Sequence, residues 1–265
     1  MHRTTLVAAL LIGAIGLLVP HADAEDLPVF TQQIDYEVDG KSYRGFLAYP
    51  ERDANGMGVI VVHEWWGLND YARSRTEQLA RLGYTAFAVD MFGEGKTTAD
   101  PKQAGEWAGQ VYGDRAFIEK MMTHAMNFVD GQKTVRPGNV VAIGYCFGGT
   151  VVLESARAGL PLKGVVSFHG SLTTQSPAKQ GEVKANVLVE HGDADPMVTA
   201  EHVQQFEAEM KAAGVNYQIN RYPNAVHSFT NPNAGKAGIE GVAYDKEADE
   251  KSWEAMQAFF KSLNQ

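Results

Sequence analysis

The chain has 265 residues, of which 45% are hydrophobic, 10% aromatic and 21% charged. This is the composition of a folded globular protein and excludes a disordered, collagen-like or coiled-coil chain. The formal net charge of −9 argues against a nucleic-acid partner, because such partners are held by a basic surface. The length suits one large α/β domain, so a second domain is not needed to account for it.

The amino-terminal segment predicts a secretory signal peptide over residues 1–24. A short basic start is followed by an apolar run, Leu6–Val19, and by a small-residue cleavage site that ends at Ala24. The run is shorter than the roughly 20 residues that cross a bilayer, so export is favoured over an uncleaved anchor. We therefore expect residues 25–265 to form a single exported domain, periplasmic or secreted, with no membrane attachment.

Past this segment, short β-branched runs alternate with helical periods, which is typical of a mostly parallel sheet with helices on both faces. The turn Asp39-Gly40 joins two runs that predict an antiparallel hairpin at the amino-terminal edge, Gln33–Val38 and Lys41–Tyr49. The later predicted strands are Gly58–His63, Tyr84–Asp90, Val140–Gly144, Gly164–His169, Val187–His191 and Tyr217–Tyr222. Apolar stripes predict helices near residues 117–128, 203–213 and 253–263. The fold class is therefore α/β.

The single cysteine, Cys146, cannot form an internal disulfide. It lies in the segment Gly144–Gly148 (Gly-Tyr-Cys-Phe-Gly), between a β-branched strand and a helix. This matches the Gly-x-nucleophile-x-Gly elbow with cysteine in place of serine. Glycine is required on both sides because a Cβ atom there would collide with neighbouring backbone. The helix amino-terminus would stabilise a thiolate, so a nucleophile is favoured over an unreactive packed thiol.

Candidates for an acid and a base follow in the chain order of this architecture, acid before histidine. Asp195 comes after the strand ending at His191, where a carboxylate can fix the tautomer of an imidazole. Asp193 is its rival, and is also a plausible turn residue. His227, in the loop after the strand ending at Tyr222, is the best candidate for the base. The remaining histidines are interpreted as helix-surface or strand-end residues.

Four motifs occur in order across nearly the whole mature chain: His63–Asn69 (HEWWGLN), Gly144–Gly149 (GYCFGG), Gly192–Asp195 (GDAD) and His227–Phe229 (HSF). With these motifs the chain resembles the dienelactone hydrolase (carboxymethylenebutenolidase) family of α/β-hydrolases. The resemblance implies the α/β-hydrolase fold and a triad of Cys146, Asp195 and His227. It also implies that Glu64 is a fourth member, which helps to generate the thiolate when substrate binds.

The resemblance further implies hydrolysis of a small ester or lactone through a thioester, with no metal or organic cofactor. By position, the oxyanion is expected to be held by the backbone N–H groups of Trp65 and Phe147. Family members hold a substrate carboxylate with two arginines, and neither is present here after Asp90 or after His227. A broader ester or lactone preference is therefore expected. The residues predicted to line the substrate pocket are Trp66, Phe92, Lys96 and Phe229.

Two other functions remain open from the sequence. One is a non-catalytic exported binding protein that retains the fold, and the other is a thiol redox protein, against which the lack of a resolving cysteine argues. The segment that begins at His63 lacks the second histidine of a zinc protease, and Asp193-Ala194-Asp195 lacks the rest of a calcium loop. A small-molecule substrate is the expected partner, and a monomer is favoured although the oligomeric state is left open.

Overall fold

The computed structural model describes residues 27–264, so the predicted signal segment lies outside the described residues. An eight-stranded sheet with the order β1-β2-β4-β3-β5-β6-β7-β8 forms the centre. The antiparallel pairs are β1 with β2 and β2 with β4, and every other pair is parallel. The strands are β1 (Val29–Val38), β2 (Lys41–Pro50), β3 (Gly56–Val62), β4 (Thr85–Val89), β5 (Val135–Tyr145), β6 (Gly164–Phe168), β7 (Asn186–Gly192) and β8 (Tyr217–Tyr222). The predicted α/β class with an antiparallel amino-terminal edge is confirmed.

Helices cover both faces of the sheet, as predicted. They are α1 (Asp70–Arg81), α2 (Pro101–Tyr112), α3 (Arg115–Asp130), α4 (Phe147–Arg157), α5 (Ala200–Ala213) and α6 (Lys246–Leu263), with a short 3-10 turn at Ala234–Ala237. The apolar faces of α1 and α6 pack in one core cluster, and those of α2 to α5 pack in the other. In this part of the chain, no helix is both long and apolar enough to cross a membrane.

The amino-terminal hairpin turns at Asp39 and Gly40, where both residues have positive φ, 52° and 73°. Its pairing extends from Val38 opposite Lys41 to Val29 opposite Pro50, so β1 begins four residues before the predicted start. The difference arises because the first half of β1 is mostly exposed and polar, and therefore carries little of the alternation by which a strand is predicted.

The parallel strands β3, β5, β6 and β7 are almost entirely buried, and their carboxyl ends meet at one edge of the sheet. Helix α2 lies across this edge. Its Trp107 ring contacts Phe92 at 5.5 Å between centroids, and its Tyr112 ring contacts Phe147 at 5.2 Å. The fold therefore gathers the strand ends and covers them with a helix that was not individually predicted.

Candidate active site

The nucleophile elbow has the strained geometry that its sequence predicts. Cys146 has φ 53° and ψ −113° and is the residue immediately before α4. A Cβ atom on Gly144 would lie 2.0 Å from the Gly148 carbonyl oxygen, and one on Gly148 would lie 2.2 Å from the Val62 carbonyl oxygen. Both glycines are thus required by close backbone approach. The turn directs a half-buried thiol out of the strand and toward the loops.

The structure joins Cys146, His227 and Asp195 in one hydrogen-bonded chain. The Cys146 Sγ atom lies 3.1 Å from His227 Nε2, and His227 Nδ1 lies 2.8 Å from Asp195 Oδ2. The other carboxylate oxygen of Asp195 accepts the Met197 N–H at 2.7 Å, which fixes the carboxylate. The imidazole is therefore placed to take a proton from the thiol while the carboxylate orients its far side.

The charges around His227 favour its protonated form. Burial of the ring opposes the imidazolium, but the neighbouring Cys146 thiolate and the Asp195 carboxylate outweigh burial and raise the pKa of His227 well above its ordinary value. The backbone is held as well, because the His227 N–H donates to Gly241 and its carbonyl accepts from Ala243. The imidazolium form of His227 is thus favoured by its position between these two groups.

The rival acid, Asp193, does not reach the imidazole. Its Oδ1 atom accepts from Arg221 Nε at 2.5 Å and lies 3.9 Å from His191 Nε2. The Asp195 side chain is fully buried against His227, whereas that of Asp193 is 26% exposed. The structure therefore places Asp195, and not Asp193, within hydrogen-bond distance of His227.

Glu64 is buried close to the base, but its hydrogen-bond partners in residues 27–264 do not include the thiol. Its two carboxylate oxygens accept from Ser228 Oγ at 2.8 Å and from Asn231 Nδ2 at 2.6 Å. Burial raises the pKa of Glu64, while these two hydrogen bonds lower it in part. The carboxylate thus ties the end of β3 to the loop that carries His227.

A second network, not found from the sequence, supports the elbow from behind. The Cys146 N–H donates to His169 Nδ1 at 3.1 Å, and the other ring nitrogen of His169 lies 2.7 Å from Thr230 Oγ1. Burial, and then the charges of His227 and Arg75, lower the pKa of His169 well below its ordinary value, so that ring is neutral. Its Nδ1 can therefore accept the Cys146 N–H.

Behind Thr230 lies a buried guanidinium. Arg75 Nη2 donates to the Thr230 carbonyl at 2.6 Å and to the Asp249 carboxylate, and Arg75 Nε donates to the Tyr71 hydroxyl at 3.3 Å. The Tyr71 hydroxyl in turn lies 2.6 Å from Thr230 Oγ1. The sequence offered one signal for this network, since Arg75 occupies a position on the buried stripe of α1 where an apolar residue is normal.

The backbone donors predicted for an oxyanion are available. Trp65 follows β3 in a turn, and Phe147 is the first residue of α4. Neither N–H donates to another group within residues 27–264. Such unpaired N–H groups at a helix amino-terminus and in a tight turn are suited to bind a developing negative charge.

The predicted aromatic pocket is only partly correct. Phe229 is fully buried and packs with Ala225, Ala248 and Tyr222, so its prediction as a pocket residue was wrong. The physical reason is that the loop after His227 turns inward, beneath the His169 ring at 5.2 Å. Trp66 is half-buried against the Trp65 ring at 4.8 Å, and Phe92 lines a cavity of about 470 Å³.

Lys96 lines the same cavity, where Glu94 pairs with its ammonium at 3.5 Å. Both side chains are largely exposed, so this pair contributes little. A second cavity, of about 790 Å³, lies on the other side of α2 and is lined mainly by polar residues. Across residues 27–264 no group of three or more His, Cys, Asp or Glu side chains is placed to hold a metal ion.

Curated relatives cover most of this chain. A putative carboxymethylenebutenolidase of Saccharolobus solfataricus is 27% identical over 266 aligned positions, which cover 88% of this chain and 99% of the relative. Protein usf of Aquifex pyrophilus is 28% identical over 235 positions, which cover 87% and 97% respectively.

Solved structures agree with these relatives. A dienelactone hydrolase-like promiscuous phosphotriesterase from metagenomic libraries has a TM-score of 0.84 and 37% identity, and the match covers 89% of this chain and 98% of that one. A putative dienelactone hydrolase from Klebsiella pneumoniae, at 22% identity and TM-score 0.75, supports the α/β-hydrolase fold. The family model for dienelactone hydrolases matches residues 43–264. The chain therefore belongs to the dienelactone hydrolase family and is a hydrolase of the small-ester and lactone class.

Proposed function

We propose that the protein hydrolyses small esters and lactones through a thioester formed on Cys146. The observation that carries this proposal is the chain of contacts from Cys146 Sγ to His227 Nε2, at 3.1 Å, and from His227 Nδ1 to Asp195, at 2.8 Å. A nucleophile, a base within hydrogen-bond reach and a group that orients the base are what acyl transfer to a side chain requires.

In the first half-reaction the Cys146 sulfur attacks the substrate carbonyl carbon, and the N–H groups of Trp65 and Phe147 bind the oxyanion. The carbon–oxygen bond of the ester then breaks, and His227 Nε2 gives its proton to the departing alkoxide. In the second half-reaction His227 takes a proton from water, which attacks the thioester carbonyl. The carbon–sulfur bond breaks and the acid leaves, so atoms and charge balance over the cycle.

Glu64 is proposed to act as a positioning residue in this cycle. Its hydrogen bonds to Ser228 and Asn231 hold the segment that follows His227, and its buried carboxyl group lies near the imidazole. Because the thiol is directed at His227, the geometry supports a resting contact between nucleophile and base, with the carboxylate engaged elsewhere.

The test is a panel of aryl esters, alkyl esters and lactones, with dienelactone included, assayed with residues 25–265. We expect turnover by the unaltered protein, and a covalent mass increase equal to the acyl group on Cys146 after rapid quenching. Cys146→Ala should lose both signals while keeping its circular dichroism spectrum. An active Cys146→Ala protein, or an acyl group on another residue, would contradict the thioester mechanism.

His227→Ala and His124→Ala form a matched pair. His124 is half-buried and stacks on Tyr36 at 4.9 Å, in the middle of α3. We expect His227→Ala to lower kcat/KM by at least about a hundredfold, because general base catalysis typically contributes a factor of that size or more. His124→Ala should retain the activity of the unaltered protein. Equal activity of the two variants would remove His227 from the mechanism.

The same panel separates the two remaining alternatives. A binding protein would turn over none of the substrates, and a redox protein would react with peroxide or disulfides without ester turnover. One structural neighbour is described as a promiscuous phosphotriesterase, so an aryl phosphotriester belongs in the panel. We further propose export of the mature chain, which amino-terminal sequencing of the protein from a periplasmic or culture fraction would test.

A further inference from the structure

We infer that the polar cavity beside α4 is the subsite for the alcohol portion of the substrate, and that it selects esters of neutral, polyhydroxylated alcohols. This inference rests on the proposed function. The cavity has a volume of about 790 Å³ and lies between the end of α2, the start of α3, α4 and the loop after β6. Its polar lining includes Tyr112, Thr150, Ser171, Thr173, Thr174 and Gln175.

The cavity is reached from the nucleophile along α4, and Cys146 itself is not among its lining residues. Thr150 lies one helical turn after Cys146, and its N–H donates to the Cys146 carbonyl at 3.3 Å, so the two residues share one helix face. Thr150 Oγ1 accepts from the Ser171 N–H at 3.0 Å and from the Tyr112 hydroxyl at 3.4 Å. Groups from α2, α4 and the loop after β6 therefore meet on the helix face that leads away from the sulfur.

Both charged side chains that line the cavity are already paired. Arg115 Nε lies 3.0 Å from Glu119 Oε1, and Arg115 Nη1 donates to the Ser176 carbonyl at 3.5 Å. Glu154 Oε1 accepts from Arg157 Nη1 at 2.9 Å. An ionic ligand would find no unpaired charge of opposite sign here. The donors and acceptors that remain are hydroxyl and amide groups, which suit a neutral ligand with several hydroxyls.

The order of strands places one element of the cavity lining, the loop after β6, between Cys146 and the strands that lead to His227. Ser171 follows β6, and in the sheet β6 lies between β5, which ends next to Cys146, and the pair β7 and β8, of which β8 precedes His227. The alkoxide must receive its proton from His227, so the alcohol portion lies on the imidazole side of the sulfur.

Gln175 is the most direct probe of the subsite. It is exposed in the cavity lining, and its amide makes no hydrogen bond to any other group in the described chain. Tyr112 is the second probe, because Tyr112→Phe removes the hydroxyl while the ring can keep its contact with Phe147. Each variant removes a polar group with little change in volume, so an effect on hydroxylated alcohols reports a lost hydrogen bond.

Two esters with a common acyl group provide the test: 1-monobutyrin, whose alcohol is glycerol, and propyl butyrate, whose three-carbon alcohol carries no further hydroxyl. We expect kcat/KM for monobutyrin to exceed that for propyl butyrate by about tenfold or more. Gln175→Leu and Tyr112→Phe should each lower this ratio by about three- to tenfold, the usual effect of one hydrogen bond. The matched control is Gln205→Leu on α5, which should leave the ratio unchanged.

A readout without turnover separates this inference from the proposed function. In the Cys146→Ala protein, saturation-transfer NMR should show transfer of saturation from the protein to the glycerol protons of monobutyrin. Adding Gln175→Leu should reduce this transfer at least threefold. The proposed subsite would be overturned if the unaltered protein had a kcat/KM for monobutyrin no higher than that for propyl butyrate. Equal saturation transfer in Cys146→Ala with and without Gln175→Leu would overturn it as well. Absence of all ester turnover together with the expected saturation difference would contradict the hydrolytic function and support the subsite.

Discussion

The buried guanidinium of Arg75 anchors the loop that carries the base, and replacing it by methionine tests that role. Its Nη2 atom donates to the Thr230 carbonyl at 2.6 Å and to the Asp249 carboxylate, and the two charged side chains are only 7% and 13% exposed. Thr230 lies three residues after His227. We expect Arg75→Met to destabilise the fold and to loosen this loop.

The expected magnitude follows from the groups left behind. Removing one partner of a buried ion pair typically costs about 3–5 kcal/mol, because the other charge is left uncompensated. Asp249 keeps one hydrogen bond, from the Tyr244 hydroxyl at 3.2 Å, so we expect about 3 kcal/mol. Arg75→Met combined with Asp249→Leu removes both charges and leaves the buried Thr230 carbonyl without its donor, while the Tyr244 hydroxyl, which also loses its partner, is exposed to solvent. We therefore expect a cost of about 1–2 kcal/mol. The double variant should therefore be more stable than the single one.

Urea unfolding followed by circular dichroism measures these differences, and aryl-ester kcat/KM measures the effect on the loop. Both Arg75→Met proteins should lose activity by about tenfold, since each lacks the hydrogen bond to Thr230. Arg73→Met, on the same helix, is the matched control, because Arg73 is half-buried with a cation–π contact to Phe46 and should cost about 1 kcal/mol or less. Equal stability of Arg75→Met and Arg73→Met would contradict the anchoring role of Arg75, as would a double variant that is the least stable of the three.

Three further predictions concern other parts of the chain. Burial raises the pKa of Glu190 to about 8, against two hydrogen bonds that lower it, so the folded state holds this proton more tightly than the unfolded one. Glu190 should therefore contribute a fall of roughly 3–5 kcal/mol in the free energy of unfolding as pH rises from about 4.5 to 8, measured in urea titrations as the difference between the unaltered protein and Glu190→Gln. Gly148→Ala places a Cβ atom 2.2 Å from the Val62 carbonyl oxygen, and we expect a loss of about 3 kcal/mol or more in the same titrations. Gly109→Ala, whose Cβ atom meets nothing within 4 Å, is the control and should be neutral or stabilising. Glu64→Gln replaces one of the two oxygens that accept from Ser228 and Asn231 by an amide NH2 group, so one hydrogen bond is lost. The burst of aryl-ester acylation should slow by about tenfold, measured by stopped flow.

Each of these expectations has a contradicting result. An equal dependence of stability on pH in the unaltered protein and in Glu190→Gln, between pH 5 and 8, would contradict the raised pKa of Glu190. Equal unfolding midpoints for Gly148→Ala and Gly109→Ala would show that the elbow can relax around a methyl group. An unchanged burst rate in Glu64→Gln would leave that carboxylate with a structural role only.

Local constraints made much of this protein predictable from its sequence. Continuous β-branched runs indicate strands that are buried on both faces of the sheet. A turn that brings backbone atoms within about 2 Å of a Cβ position accepts only glycine, so the five-residue motif around Cys146 predicts the elbow. The position of His227 near the elbow was also predictable, because in this architecture the elbow, the acid and the base follow one another in the chain.

Contacts between distant residues were decided only by the tertiary structure. The sequence favours Asp195 over Asp193 as the acid but leaves both open. The backbone beyond β7 directs Asp193 to Arg221 and Asp195 to the imidazole. Phe229 is a core residue, and Arg75 pairs with Asp249, which lies 174 residues later in the chain, in α6. The direction of a side chain beyond a strand end depends on the residues that pack against it. These residues come from distant parts of the chain, so a local sequence pattern does not identify them.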